Sequence, residues 1–250
     1  MTGGLGNTAL VAAIAIVPLV ALMMTSFVKI SVVLSLLRNA IGAPDAPSGL
    51  VVMGLSLILT FFVMAPVAID MVQAAQPPPA RGGSATTGVA VPMAGGSDAR
   101  SAAAVPPAAG PALDLEGAVR ALVPESYRPQ VDAAARALGP LRGFLARHAS
   151  ARDRETFTSL ATRMGRAVRG DELWVLAPAF VTTELREAFA IAVLIFVPFL
   201  VIDLVVGLTL AALGLASTSP QSVALPLKLL LFVSVDGWRL LIDSLLRGYL

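Results

Sequence analysis

The chain has 250 residues, of which 56% are hydrophobic and only 14% charged, with a mean hydropathy of +0.82. A soluble domain is about 45–50% apolar and about 25% charged, so a freestanding soluble globule is excluded. The net charge of +2 supplies no basic field to follow a nucleic-acid backbone. With no cysteine and a single histidine, His148, thiolate nucleophiles, disulfides and zinc clusters are excluded too, and neither a cofactor nor a metal is expected.

About twenty residues of helix rise about 30 Å, the thickness of a bilayer's hydrocarbon. Met1 to Val28 and Leu50 to Ile69 contain no charge, and Ala188 to Leu215 contains only Asp203. These three segments read as membrane-type helices. The first positive charge, Lys29, follows the first apolar segment instead of preceding it, which reads as an uncleaved helix rather than a secretory signal. Each apolar segment carries one proline, Pro18, Pro66, Pro198 or Pro226, and such helices kink where neighbours satisfy the freed carbonyl.

Between the hydrophobic ends, residues 73–187 hold 24 of the 34 charges, including 13 of the 16 arginines. The first part of this insert is a linker: from Ala74 to Leu113, 29 of 40 residues are Ala, Gly, Pro or Ser, too little apolar surface to offset chain entropy. Apolar residues then return at helical spacing, at Leu115, Val119 and Leu122, at Leu138, Leu141 and Leu145, and at Phe157, Leu160 and Met164. Ser150 reads as a helix N-cap with Asp153 in the first turn. His148 continues the Leu138, Leu141, Leu145 stripe as a half-buried structural residue.

The fourth segment, Val223 to Ile242, carries Lys228, Asp236 and Arg239. Its 12 Leu, Ile, Val and Phe residues credit about 4–7 kcal/mol of insertion, against about 7–10 for three central charges. Such a helix must be covered by protein. Asp236, Arg239, Asp243 and Arg247 fall on one stripe of a continuous helix and form a self-neutralising ladder. Lys228 lies off that stripe, with Asp203 its nearest candidate partner, and Lys29 has no evident local partner.

Phosphate-binding glycine loops, paired-histidine zinc motifs and nucleophile elbows are missing. Ser26 and Lys29 spell S-x-x-K, the spacing in which a lysine can activate a serine, but the companion elements of a serine–lysine hydrolase are missing. Met23 and Met24 read as helix packing.

The strings Met24-Thr25-Ser26-Phe27, Val32-Val33-Leu34-Ser35 and Leu37-Arg38-Asn39-Ala40-Ile41-Gly42 resemble the first-hairpin signature of the FliP/SctR (YscR, HrcR) family of type III secretion export-apparatus proteins. The match continues through LTFFVMAPV at 59–67, Ala179 to Glu184 and Phe199 to Leu204. It closes on the specific run from Ala224 through Lys228 to Asp236-Gly237-Trp238. The resemblance implies a non-enzymatic inner-membrane subunit that forms a homo-oligomer, a pentamer, and joins the S and T subunits, with the U switch and V export subunits nearby. Unfolded substrate proteins would pass through this gate, on the periplasmic side of the membrane, powered by a separate ATPase and the proton gradient. The family's pore constriction is a methionine run in the turn of the second hairpin; here Leu215-Ala216-Ser217 stands there, a less adaptable collar than flexible thioethers. The wording of the closing run resembles the virulence or symbiosis R subunit more than its flagellar P counterpart. Without the resemblance, the pattern reads as a multispan transporter or channel.

The expected architecture is all-α. Two kinked hydrophobic hairpins (1–72 and 188–250) flank a disordered linker (73–113) and a small helical soluble module (114–187). Lys29, Asp203, Lys228, Asp236 and Arg239 are the expected buried assembly charges. Arg38, Asn39, Glu184, Gly237 and Trp238 are the motif residues, and Leu215, Ala216 and Ser217 line the constriction.

Overall fold

A computed structural model describes residues 18–42, 47–76, 125–166, 168, 170–215 and 217–249. Among them the chain is entirely helical. The motif at Leu115, Val119 and Leu122 and nearly all of the expected linker lie outside the described residues, though the linker's first positions do not: residues 73–75 complete a helix.

The backbone is helical over 18–23, then turns at 24–26. Helix α1 is Phe27–Ile41. The first apolar segment is therefore not one continuous rod. The Thr25 hydroxyl donates to the Leu22 carbonyl at 2.6 Å and accepts from the Phe27 N–H at 3.2 Å, a local bonding pattern that competes with helix continuation. Gly42, in the left-handed region at φ 80°, ends α1 with its N–H on the Arg38 carbonyl. Eight of the fifteen residues of α1 are buried, so this helix forms the centre of the molecule.

Helix α2, Gly49–Ala75, starts from a Ser48 cap and passes through Pro66 without breaking. Its buried positions are few: Val52, Ser56, Thr60 and Val67. The two hydroxyls return to their own helix, Ser56 to Val52 at 2.8 Å and Thr60 to Ser56 at 2.6 Å, which lets them sit in the α1 contact without unmet bonds. A 3₁₀ turn, Glu125–Tyr127, leads into α3, Arg128–His148. Arg136 of α3 donates to the Ala74 and Ala75 carbonyls at 3.3 and 3.5 Å and so caps the end of α2. Helix α4, Ala151–Arg163, follows a Ser150 cap whose hydroxyl accepts from the Asp153 N–H.

Helix α5, Leu173–Ala212, runs unbroken for 40 residues across position 187 and through Pro178 and Pro198. Its first half is buried at 3–4 residue spacing; beyond Phe189 most of its large apolar residues are exposed. The insert does not stand apart from the hydrophobic helices. Leu141, Phe144 and Leu145 of α3 share one core with Met24, Val67, Leu176, Ala179 and Phe180. A second core joins α1 to Ala188, Phe199, Phe232, Leu241 and Leu245.

The expected fourth span is two helices, α6 (Pro220–Ser234) and α7 (Gly237–Arg247). Between them Asp236 takes φ 51°, the one non-glycine residue with positive φ among those described. The adjoining Gly237 is required by packing: a Cβ there would fall 2.3 Å from the Phe232 ring. Trp238 then meets Phe232 edge-on at 5.4 Å. This corner breaks the proposed charge ladder. Asp236 and Arg239 are exposed and form no ion pair among the described residues, while Asp243 and Arg247 pair on the surface at 2.7 Å. Among the described residues, α2 and α5 are the two helices long and apolar enough to cross a membrane; α6 is shorter.

Candidate functional site

Residues 183–187 of α5 form a polar collar between its two halves, and three other parts of the chain converge on it. From α1 comes Lys29, only 1% exposed, with Nζ 3.2 Å from Glu184 Oε2 and 2.6 Å from Glu187 Oε2. A buried ammonium without a partner is several kcal/mol unfavourable, and two carboxylates one helical turn apart meet that need. The α3–α4 junction supplies Ser150 and Asp153. Asp153 Oδ2 accepts from the Ser150 and Thr183 hydroxyls, each at 2.7 Å, and Oδ1 from Arg186 at 2.5 Å. The Ser150 N–H in turn donates to Thr183 Oγ1 at 3.0 Å. Burial alone would raise the Asp153 pKa, but the bonds from Arg186, Ser150 and Thr183 outweigh it and hold the group at about 2. Beyond α7, the Tyr249 hydroxyl donates to Glu184 Oε2.

At the other end of α1, Lys228 of α6, also buried, places Nζ 2.8 Å from Asp203 Oδ2 of α5 and donates to the Ala40 carbonyl at 3.0 Å. Lys29 and Lys228 thus find their counter-charges inside their own chain, and sister polypeptides are not needed to neutralise them. Glu187 and Asp203 are 16 residues apart on α5, so the two ion pairs stand about 24 Å apart along its axis.

The remaining expected positions are spread around this frame. Arg38 and Asn39 line a groove of about 260 Å³ between α1 and α2, with Ser31, Ser35, Val52 and Ser56. Leu215 and Ser217 are exposed in the turn joining α5 to α6, after Gly214 in the left-handed region; Ala216 lies outside the described residues. Ser26 is fully buried and its hydroxyl has no partner among the described residues. The Lys29 amine turns instead to the Glu184 and Glu187 carboxylates. His148 is half-buried against Phe144 at 4.5 Å. Burial, then Arg147 and Lys29, lower its pKa below 6.5.

Sequence reasoning missed Glu187, Arg186 and Tyr249, and placed Asp153 in a first turn without its bonds to Thr183 and Arg186. One signal was available for the first: Glu184 and Glu187 stand one turn apart where α5 becomes purely apolar, and Lys29 was the unpaired cation. The other contacts join residues 30 or more positions apart, which no local spacing encodes.

The FliP family model matches residues 10–94 and 115–245. This chain belongs to the FliP family. It is 37% identical over 243 residues to the hypersensitivity response secretion protein HrcR of Ralstonia nicotianae, covering 95% of this chain and 93% of that protein. It is also 37% identical to the flagellar biosynthetic protein FliP of Pectobacterium carotovorum, over 96% of this chain and 76% of that protein. To the Yop proteins translocation protein R of Yersinia pestis it is 34% identical, over 94% and 91% of the two chains. Secretion-system and flagellar members of the family therefore match it to similar degrees.

Proposed function

We propose that this FliP-family chain is a core subunit of a type III secretion export gate, forming with its copies the path by which unfolded proteins cross the bacterial inner membrane. The observation that carries the reading is a division of surfaces. Buried charges are satisfied within the chain by Lys29, Glu184, Glu187, Asp203 and Lys228. Long apolar faces, by contrast, stay uncovered: Leu50, Ile58, Phe61 and Phe62 on α2, and Leu194, Leu204 and Leu208 on α5. Neighbouring subunits and lipid cover them in the assembled gate. The partners are further copies of this chain and the S and T subunits, with U and V subunits docking on the complex, and the role is structural rather than enzymatic. The turn carrying Leu215 and Ser217 forms the constriction. The hairpins act as membrane-type elements, and the assembled complex sits on the periplasmic side of the inner membrane.

Mass measurement of the purified particle, expressed with and without S and T, tests the reading. A large complex that incorporates both partners is expected. A small particle indifferent to them would favour a solitary transporter instead. Because the match to a flagellar relative is equally strong, restoration of export is to be scored in a secretion-system and a flagellar null strain side by side; rescue of motility alone would assign the chain to the flagellum.

A further inference from the structure

Gly248 and Tyr249 follow α7 and lie across the polar collar, and the functional reading makes no use of them. Three helices shape the place they occupy. From α5, Glu184 accepts the Tyr249 hydroxyl. Lys29 of α1 stands 4.3 Å from the centre of the ring, within the range of a cation–π contact. Phe144 of α3 lies nearly parallel to the ring at 6.2 Å, and His148 meets it edge-on at 5.3 Å. The backbone fits as closely as the ring: a Cβ at Gly248 would sit 3.0 Å from Lys29 Nζ, which two carboxylates already pin. Burial, then the Glu184 carboxylate, push the Tyr249 phenol above its usual range, so it remains a donor.

We propose that Lys29, Phe144, His148 and Glu184 form a binding socket for a phenol, that Tyr249 is its resident occupant, and that filling or emptying it fastens or frees helix α7. The chemistry selects a phenol. The ammonium and Phe144 call for an aromatic face, Glu184 calls for a donor at the ring's far edge, and a cationic side chain would meet Lys29. Helix α7 is suited to release because only Gly237, Leu241 and Leu245 of its eleven residues are buried. Its other end is the Asp236–Gly237 corner, a defined pivot in left-handed backbone.

The chain has no cysteine, so one introduced thiol gives a clean reading in the full-length, detergent-solubilised protein. Leu241→Cys, on the buried face of α7, is compared with Ala179→Cys, in the core shared by α3 and α5, by rate of maleimide labelling. Tyr249→Ala is expected to speed labelling at 241 at least tenfold and leave 179 slow, with Tyr249→Phe in between. Added p-cresol should slow labelling at 241 again in the Tyr249→Ala chain, saturably, and have no effect on Tyr249→Phe. Unchanged labelling at 241, equal acceleration at both positions, or no response to p-cresol overturns the socket. Should the Tyr249→Ala chain not accumulate, Tyr249→Phe decides alone: wild-type labelling at 241 refutes the latch.

Discussion

Lys29 and Lys228 are both buried lysines on helices that pack against α5, yet they are held in different ways. Lys29 is 1% exposed and has two carboxylates and a phenol ring around it. Lys228 has one carboxylate, on an Asp203 side chain that is 41% exposed, and a backbone carbonyl. The first keeps one carboxylate, Glu184, wholly buried beside a Glu187 that is 48% exposed; the second has a part-exposed carboxylate alone. A buried charge thus tells little about its own importance, because what matters is how much is left stranded when it is removed.

Substitution should separate the two sites. Lys29→Met leaves Glu184 buried beside Glu187 and is expected to cost about 3–5 kcal/mol, read as loss of the thermal transition in detergent followed by Trp174 and Trp238 fluorescence. Lys228→Met strands a carboxylate that water can reach, and its expected cost is about 1–3 kcal/mol. Pairing it with Asp203→Leu should recover most of that loss, since removing both members of a pair leaves nothing unmet. If Lys228→Met proved as damaging as Lys29→Met, the contrast between stranding a buried carboxylate and stranding a part-exposed one would collapse.

Titration sharpens the contrast on the collar's α3–α4 side. Asp153 titrates lower in the fold than when unfolded, so its stabilisation is present above pH 3.8 and lost as the pH falls towards about 2. Asp153→Asn should remove that acid-dependent part and lower stability at neutral pH by about 1.5–3 kcal/mol; a wild-type acid unfolding curve in the variant would contradict the clasp. The smallest effect belongs to His148. Its pKa is depressed by burial, so protonation favours the unfolded chain, and stability should fall as the pH drops below 6.5. His148→Gln should flatten unfolding midpoints between pH 5 and 6.5, with little change at pH 8.

The apolar runs and the helical insert were legible because they rest on composition and period: most of α2 and the part of α5 beyond Glu187 cover two of the long apolar stretches, and Ser150 caps α4 as its residue type and spacing indicate. Asp203 was named as the partner of Lys228 by elimination. The corner at Asp236–Gly237 was read through, because the surrounding run of leucines and valines outweighed a dipeptide that favours turns. The consequence was a charge ladder on a helix that does not exist. Asp153 was seen as a first-turn residue, but its bonds to Thr183 and Arg186 depend on how α4 docks on α5. That docking follows the core in which Leu145 of α3 meets Leu176 and Phe180 of α5, with Phe157 of α4 packed against it.

Helix α5 has 40 residues, a rod of about 60 Å and twice the hydrocarbon thickness of a bilayer. Pro198 stands between Glu187 and Asp203 and leaves one backbone carbonyl without its helical partner, so the rod has a soft joint between the collar and the second ion pair. Whatever moves the collar reaches Asp203 and the Leu215 turn only as far as the neighbours of Pro198 hold that joint straight.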